Sequence, residues 1–480
     1  MTRRGALVPS TDLVTVALGA LLTVATVLFV GRYGPGLGLA APLGACLFLG
    51  IVAAFVVTPH IAVAATIPYF ALLPLFKVFG SGIIGATKDV ITLAAVAAGG
   101  VLLVERRAGR LGWPADRPVL ILVTFLFGLY LVNIGGNLSG DSGYGVAWFH
   151  GVRLFSEPLF LLVVGLSLRD PERTFRWAAR ALIATGVVEA FVGAFQQVVG
   201  IQRLLTYGYT YGSQVRQIGP YLRSFGTLDE PFSYATLLLF ALTIVLLRGR
   251  LRTADYGVLA ILSAGLVLSF VRTAALIALG LVGLALARRG RTRVAVFVLL
   301  IAVTGSAILF VVTSGATSTR SVRVSQNQYL TLNGRTGLWS SAVGHSPSGW
   351  VLGRGVGVVG TASQRARQSL TGGATNTRAP GGTVVDSAFP EVAADIGFVG
   401  LAILLSLFGR LGLLAWRAAG RGFSSGWIAL GVLTVVLLDA LTRESLTGFP
   451  TAYIGMLLLG LACATWTAEG RGASATAPAG

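Results

Sequence analysis

The residues best equipped to act on a ligand here are arginines gathered on polar segments. Arg320, Arg323, Arg335, Arg354, Arg365, Arg367 and Arg378 all lie in the stretch Ser314–Ser387, and no acidic residue precedes Asp386 there. A guanidinium is permanently charged, and its planar fork matches phosphate oxygens. Seven of them without a counter-charge point to an anionic ligand, a phosphate above all. A smaller polar segment, residues 200–228, adds Arg203, Arg216 and Arg223 ahead of the acids Asp229 and Glu230. Arg223 sits in YLRSFGTLDEPFSYA, where Gly226 and Pro231 mark a tight turn into the next helix. It could clamp a phosphate at the helix mouth or snorkel to lipid headgroups. Arg272, in LVLSFVRTAALIAL, falls between two apolar runs. A bare arginine deep in a membrane helix costs about 2.5–3.5 kcal/mol, so it is normally paired or faces water. A ligand contact and a structural ion pair both satisfy that.

Other titratable groups fall at helical spacing. His150, Arg153 and Glu157 share one face, which predicts an Arg153–Glu157 ion pair or, more sharply, His150 as an acid–base group. Asp439 and Arg443 form a second i,i+4 pair. Lys88 and Asp89 are adjacent, do not face each other on an ideal helix, and so each needs another partner. Glu189, alone in an apolar run, reads as hydrogen-bonded within the bundle. The sequence has no GxxxxGK[ST] loop, no HExxH, no Cys/His cluster and no GxSxG elbow. The polar stretch also lacks an acidic pair to hold Mg²⁺. Metal-independent chemistry without a cofactor is expected, driven by arginine and one carboxylate.

The elements that must carry these residues are membrane helices. With 54% hydrophobic and 11% charged residues, the chain is far from the quarter charged of soluble proteins. Apolar runs fall at roughly 12–31, 36–58, 60–79, 83–104, 118–137, 149–168, 177–199, 229–247, 254–270, 272–287, 293–313, 389–409, 425–441 and 449–467. Most are long enough to span about 30 Å of hydrocarbon. An all-α polytopic membrane bundle of about 12–14 helices is expected. Pro68, Pro74 and Lys77 could make the third run re-entrant. Cys46 and Cys463, both in apolar runs, read as packing residues.

The net charge of +19 comes almost wholly from arginine, since Lys77 and Lys88 are the only lysines. ERRAGR (105–110), RDPERTFR (169–176), RGRLR (248–252), RRGRTR (288–293) and RAAGRG (417–422) all fall on one side of the alternating topology. Short basic loops stay in the cytoplasm. The termini are then cytoplasmic, and the polar stretch is external. The expected organisation is helices over 1–313 with a small external loop at 200–228, a large external loop at 314–388, helices over 389–467, and a disordered tail at 468–480. No nucleic-acid partner is expected.

Three segments together resemble the O-antigen ligase and O-antigen polymerase family of bacterial membrane glycosyltransferases. They are LRSFGTLDEPFSYA (222–235), SFVRTAALIAL (269–279), and NGRTGLWSSAVGHSPSGWVLGRGVG (333–357) followed by VDSAFPEVAADIGFVGLAILL (385–405). Gly334, Arg335, Trp339, Pro347, Gly353, Gly355 and Gly357 match the family pattern, and Asp395 stands where its Glu-x-Gly glutamate would be. Asp386 and Ser387 depart from it by replacing a His-Asn pair, which weighs against a lipopolysaccharide ligase and towards a polymerase or a ligase for another glycan.

The resemblance implies a helical fold with an external loop over a lateral cavity, and a polyprenyl-diphosphate-linked glycan as donor. A hydroxyl of an acceptor glycan or lipid would attack the sugar carbon with inversion. It implies Arg223, Arg272 and Arg335 as diphosphate ligands, with Arg335 and Asp386 catalytic and Asp386 the base or acceptor-orienting group. His150, Arg153 and Asp395 are secondary candidates, and Tyr329, Trp339 and Trp350 are interface or sugar-stacking residues. A transporter or flippase of an anionic lipid-linked glycan is the rival reading. Such a protein also wants arginines in a central cavity but usually shows a two-fold repeat, and none is evident.

Overall fold

The computed structural model describes residues 35–79, 83–107, 117–133, 142–212, 214–218, 221–249, 251–291, 347–363 and 387–475. These form helices α1 (Pro35–Val57), α2 (Pro59–Phe79), α3 (Ile83–Arg107), α4 (Arg117–Val132), α5 (Ser142–Ser167) and α6 (Pro171–Thr206). A two-stranded antiparallel hairpin follows, β1 (Arg216–Ile218) and β2 (Tyr221–Arg223). The remaining helices are α7 (Pro231–Leu247), α8 (Thr253–Leu268), α9 (Arg272–Arg288), the short α10 (Pro347–Leu352), α11 (Ala388–Gly420), α12 (Ser424–Thr442) and α13 (Thr451–Ala475).

The protein is an all-α polytopic membrane protein. Six segments of these helices are long and apolar enough to cross a bilayer: Pro59–Val78, Thr87–Arg106, Gly145–Ser167, Pro171–Thr206, Ala388–Gly420 and Ser424–Thr442. Its outer surface is as apolar as its core, with Val57, Phe125, Phe195, Val198, Val267 and Trp416 all exposed. An apolar exterior of that extent faces lipid. The third apolar run is one continuous helix, α2, with Pro68 and Pro74 inside it. The runs at 12–31 and 293–313 lie outside the described residues.

Helix α7 is the hub. Pro231, Ser233 to Val245 and Leu247 are buried on every side, as expected of a helix apolar all round. It packs against α6, α8, α9 and α12. Helix α5 crosses α13 closely: a Cβ at Gly165 would lie 2.6 Å from the Leu457 carbonyl oxygen, and one at Gly460 would strike that of Leu162. Paired glycines let two membrane helices touch backbone to backbone. Cys463 packs in the core, whereas Cys46 is exposed on α1.

Two long helices are broken by glycine. Gly200 (φ 77°) bends α6, and Gly397 (φ 72°) breaks α11 nine residues from its start. Both conformations strain any residue with a side chain. One face of the bundle thus collects the ends of α2, α6, α8 and α12, the starts of α3, α7, α9, α11 and α13, and the hairpin. Long-range bonds tie these ends together: Thr227 Oγ1 donates to the Ala71 carbonyl, Ser224 N to Leu268, and Ala388 N to Arg443. All the candidate residues that the structure describes lie at this face.

Candidate functional site

The segment SFGT (224–227) is fixed to α6 by three polar side chains on that helix. Glu189 accepts from Thr227 N at 2.8 Å, and its carboxylate shares the single proton of the Thr227 hydroxyl with the Ala71 carbonyl. Gln196 Oε1 accepts from Phe225 N and Gly226 N, both at 3.0 Å, and its amide nitrogen donates to the Gly226 carbonyl at 2.7 Å. Gln197 Nε2 donates to the Leu222 carbonyl and to Ser224 Oγ. Glu189 is therefore a buried clamp within the bundle. Gly226 has φ 61°, and a Cβ there would collide with the Glu189 carboxylate, so the position requires glycine.

This clamp sets the position of Arg223. Its Nε donates to the Ser269 carbonyl at 3.3 Å, at the end of α8, three residues before Arg272 opens α9. The two separate motifs that carry Arg223 and Arg272 thus meet at one corner. Hairpin register sets Arg216 opposite Arg223. The guanidinium carbons of Arg216, Arg223 and Arg443 lie 5.7, 4.7 and 5.9 Å from the centre of the Phe232 ring. Cations so placed are held by the ring's negative face.

Arg443 is anchored by Asp439, with Nε 3.5 Å from Oδ2, by Glu230 at 3.3 Å, and by donation to Ser233 Oγ at 3.2 Å. Burial opposes its charge, but Asp439, Glu230 and Glu444 together outweigh that and raise its pKa. The expected Asp439–Arg443 pair is therefore present, and it belongs to the arginine cluster. Sequence reasoning did not place Arg443, Phe232 and Glu230 at this site.

The start of α11 is fastened to the same corner. Ser387 Oγ donates to the Ala440 carbonyl, and Ala388 N donates to that of Arg443, both at 3.1 Å. Asp386, immediately before Ser387, lies outside the described residues, as do Arg335, Tyr329 and Trp339. Of the loop 314–388 expected to cap a lateral cavity, only residues 347–363, 387 and 388 are described.

The run from Gly353 to Gly357 packs as a wedge of bare backbone. The break at Gly397 leaves carbonyls of α11 without their usual helical donors. Arg354 N donates to Ala394 at 2.6 Å, and Asn133 Nδ2 donates to both Asp395 (2.5 Å) and Leu352 (2.6 Å). A Cβ at Gly353 would sit 2.5 Å from the Asp395 oxygen, and one at Gly357 would strike the Ala147 carbonyl. The motif's glycines allow this close passage. Asp395 Oδ1 accepts from Gly357 N at 3.1 Å, and Glu391, one turn earlier, accepts from Thr361 N at 3.2 Å. Thr361 Oγ1 bonds the Glu444 carboxylate. Asp395 thus anchors the wedge. Glu391 was missed, although its spacing of four from Asp395 was a readable signal.

Arg153 belongs to a different cluster. Arg153 pairs with Glu157 at 3.2 Å, as expected, and with Asp89 at 3.0 Å. Lys88 Nζ lies 3.4 Å from Glu157 and 3.0 Å from Asp89. Adjacency on the helix did not keep that last pair apart, because the long lysine stem curls back to its neighbour. Tyr453 OH bonds the same Glu157 carboxylate. His150 lies one turn before Arg153 and beside Phe149.

Residues 257–405 match the family model described as O-antigen ligase. That span, less than a third of the chain, is O-antigen ligase-like. The matched span runs from α8 into the first half of α11, and so covers Arg272, Arg335, the glycine wedge, Asp386 and Asp395; Arg223 and the hairpin precede it. No curated protein matches the chain. The match supports an O-antigen ligase- or polymerase-like function in general, that is, glycosyltransferase-like work on lipid-linked glycan in a membrane. Among the described residues there is no cluster of His, Cys, Asp and Glu suited to a metal ion.

Proposed function

We propose that the protein transfers a glycan from a polyprenyl-diphosphate carrier onto a hydroxyl of an acceptor glycan or lipid, at the outer face of the cytoplasmic membrane. One observation carries the reading: the two separate motifs that carry Arg223 and Arg272 are brought to one corner of the bundle beside the backbone that follows Asp386. The acceptor oxygen attacks the anomeric carbon as the bond from that carbon to the phosphate oxygen breaks, giving inversion. The acceptor proton passes to Asp386, and the bonding pair leaves on the diphosphate. Negative charge grows on that leaving group, and guanidiniums already in place stabilise it most where water is partly excluded. Arg223, Arg272 and Arg335 receive it. No metal is required, because arginine supplies the counter-charge.

The arginine corner is then external and both termini are cytoplasmic. Single cysteines replacing Arg320 and Arg365, in a background without Cys46 and Cys463, should label with an impermeant reagent from outside the cell. Protection of both reverses the topology. Reconstitution with a polyprenyl-diphosphate glycan tests the activity. Chain growth identifies a polymerase and a single transfer a ligase, while movement without bond change would make the protein a flippase and overturn the proposal.

A further inference from the structure

We infer that the anion site extends to Arg216 and Arg443, and that the Glu230 carboxylate is its resident occupant, displaced when a lipid-borne diphosphate binds. The inference rests on the function proposed above.

Three arginines from three elements converge on one phenylalanine. Arg216 comes from β1, Arg223 from β2 and Arg443 from the end of α12, and all three guanidiniums lie within 5.9 Å of the Phe232 ring centre. A ring face holds a guanidinium without using its N–H edge, which can still address oxygen ligands. Glu230 sits between two of the three, with Oε1 3.3 Å from Arg443 Nη1 and Oε2 3.9 Å from Arg216 Nη2. The second separation is too long for a hydrogen bond.

Glu230 also occupies the N-cap of α7, where a side chain of this kind ordinarily accepts from the first helical N–H groups. It makes no such bond. Its carboxylate reaches the arginines instead, with Ser233 Oγ donating to it at 3.1 Å. The helix dipole adds a preference for negative charge at the same point.

The two acids of the cluster are held differently. Asp439 is 5% exposed and accepts from Thr236 Oγ1 at 3.0 Å, so it stays as the fixed counter-ion of Arg443. The Glu230 side chain is 30% exposed and can swing to water. A diphosphate brings more charge and more acceptor oxygens than one carboxylate, so the exchange favours the ligand. Glu230 then discriminates against weaker anions, which cannot displace it.

The test uses the full chain in zwitterionic nanodiscs, with farnesyl diphosphate as probe. Glu230→Gln should bind about tenfold more tightly and Arg216→Ala about tenfold more weakly, the scale of one charge-assisted contact. The gain from Glu230→Gln should vanish in the double variant, because the two side chains are coupled. Glu172→Gln makes the same charge change on the opposite face and should leave affinity unaltered; a tenfold gain there would overturn the inference. Should Arg216→Ala fail to fold, Arg216→Lys keeps the charge and loses the fork, and wild-type affinity in it would overturn the inference.

If Arg223→Ala abolishes binding while Glu230→Gln and Arg216→Ala match wild type, this extension is wrong and the proposed function stands. If the wild-type protein does not bind the probe, or Arg223→Ala binds normally, the proposed function falls and takes this with it. Equal competition by phosphatidylglycerol would identify a bilayer phosphate as the ligand and also overturn the inference.

Discussion

The Lys88–Glu157 cluster and the Arg216–Arg443 cluster stand on the same face of the bundle and are closed to different degrees. In the first, two cations and two carboxylates pair with each other, Lys88 lies over the rings of Phe449 and Tyr453, and the Tyr453 hydroxyl completes the shell. The Lys88 and Glu157 side chains are 5% and 7% exposed. In the second, three guanidiniums lie around the Phe232 ring, Arg216 and Glu230 are about a third exposed, and Arg443 is 12% exposed. Both were candidate sites by residue type. Closure separates them by degree: the quartet, with Arg153 and Asp89 about a quarter exposed, pairs each of its charges and fixes helices α3, α5 and α13, while the more open basic cluster can exchange its anion.

The sharpest way to break this contrast is Lys88→Ala. It leaves the buried Glu157 carboxylate to Arg153 and Tyr453 alone, and removing one partner of a buried pair costs up to about 3–5 kcal/mol. Thermal unfolding in detergent should fall accordingly; an unchanged midpoint would mean that the quartet does not lock the helices. Next is Arg223→Ala, which should reduce glycan transfer by about 10²–10³-fold, as for loss of one donor to a developing oxyanion. Its midpoint should move far less than that of Lys88→Ala, and the reverse pattern would make Arg223 the structural residue.

Gly397→Ala comes third. A side chain there would collide with the Val351 carbonyl in a left-handed conformation, and such strain costs about 1–3 kcal/mol. Arg176→Ala should do least. Its pair with Glu172 is more than half exposed, and surface pairs contribute about 0–1 kcal/mol. A drop as large as that of Lys88→Ala would remove burial as the deciding variable.

Local pattern made much of this legible. Apolar length marked α2, α3, α5 and α12, and i,i+4 spacing gave Arg153–Glu157 and Asp439–Arg443. Of the motif residues, Arg223 proved to bond the Ser269 carbonyl, three residues before Arg272. What stayed hidden is long-range. Phe232 looked like one more apolar residue until hairpin register and the packing of α12 on α7 brought three guanidiniums to it. The glycine run could equally have been read as a phosphate cradle. Only the approach of Asp395 and Ala147 backbone atoms shows that glycine is needed there for want of space. Lys88 found Asp89 because side-chain reach exceeds what ideal helix directions allow.

The break at Gly397 reaches beyond local strain. An unbroken α11 would satisfy its own carbonyls and offer nothing to the chain beside it; interrupted, it becomes a docking rail on which residues 353–357 are seated. The outer nine residues of α11 and the glycine wedge should therefore travel as a single rigid piece, with the long bilayer-crossing remainder as its mast. Sequence drift in the intervening polar stretch would then leave both ends of that stretch in register with the arginine corner.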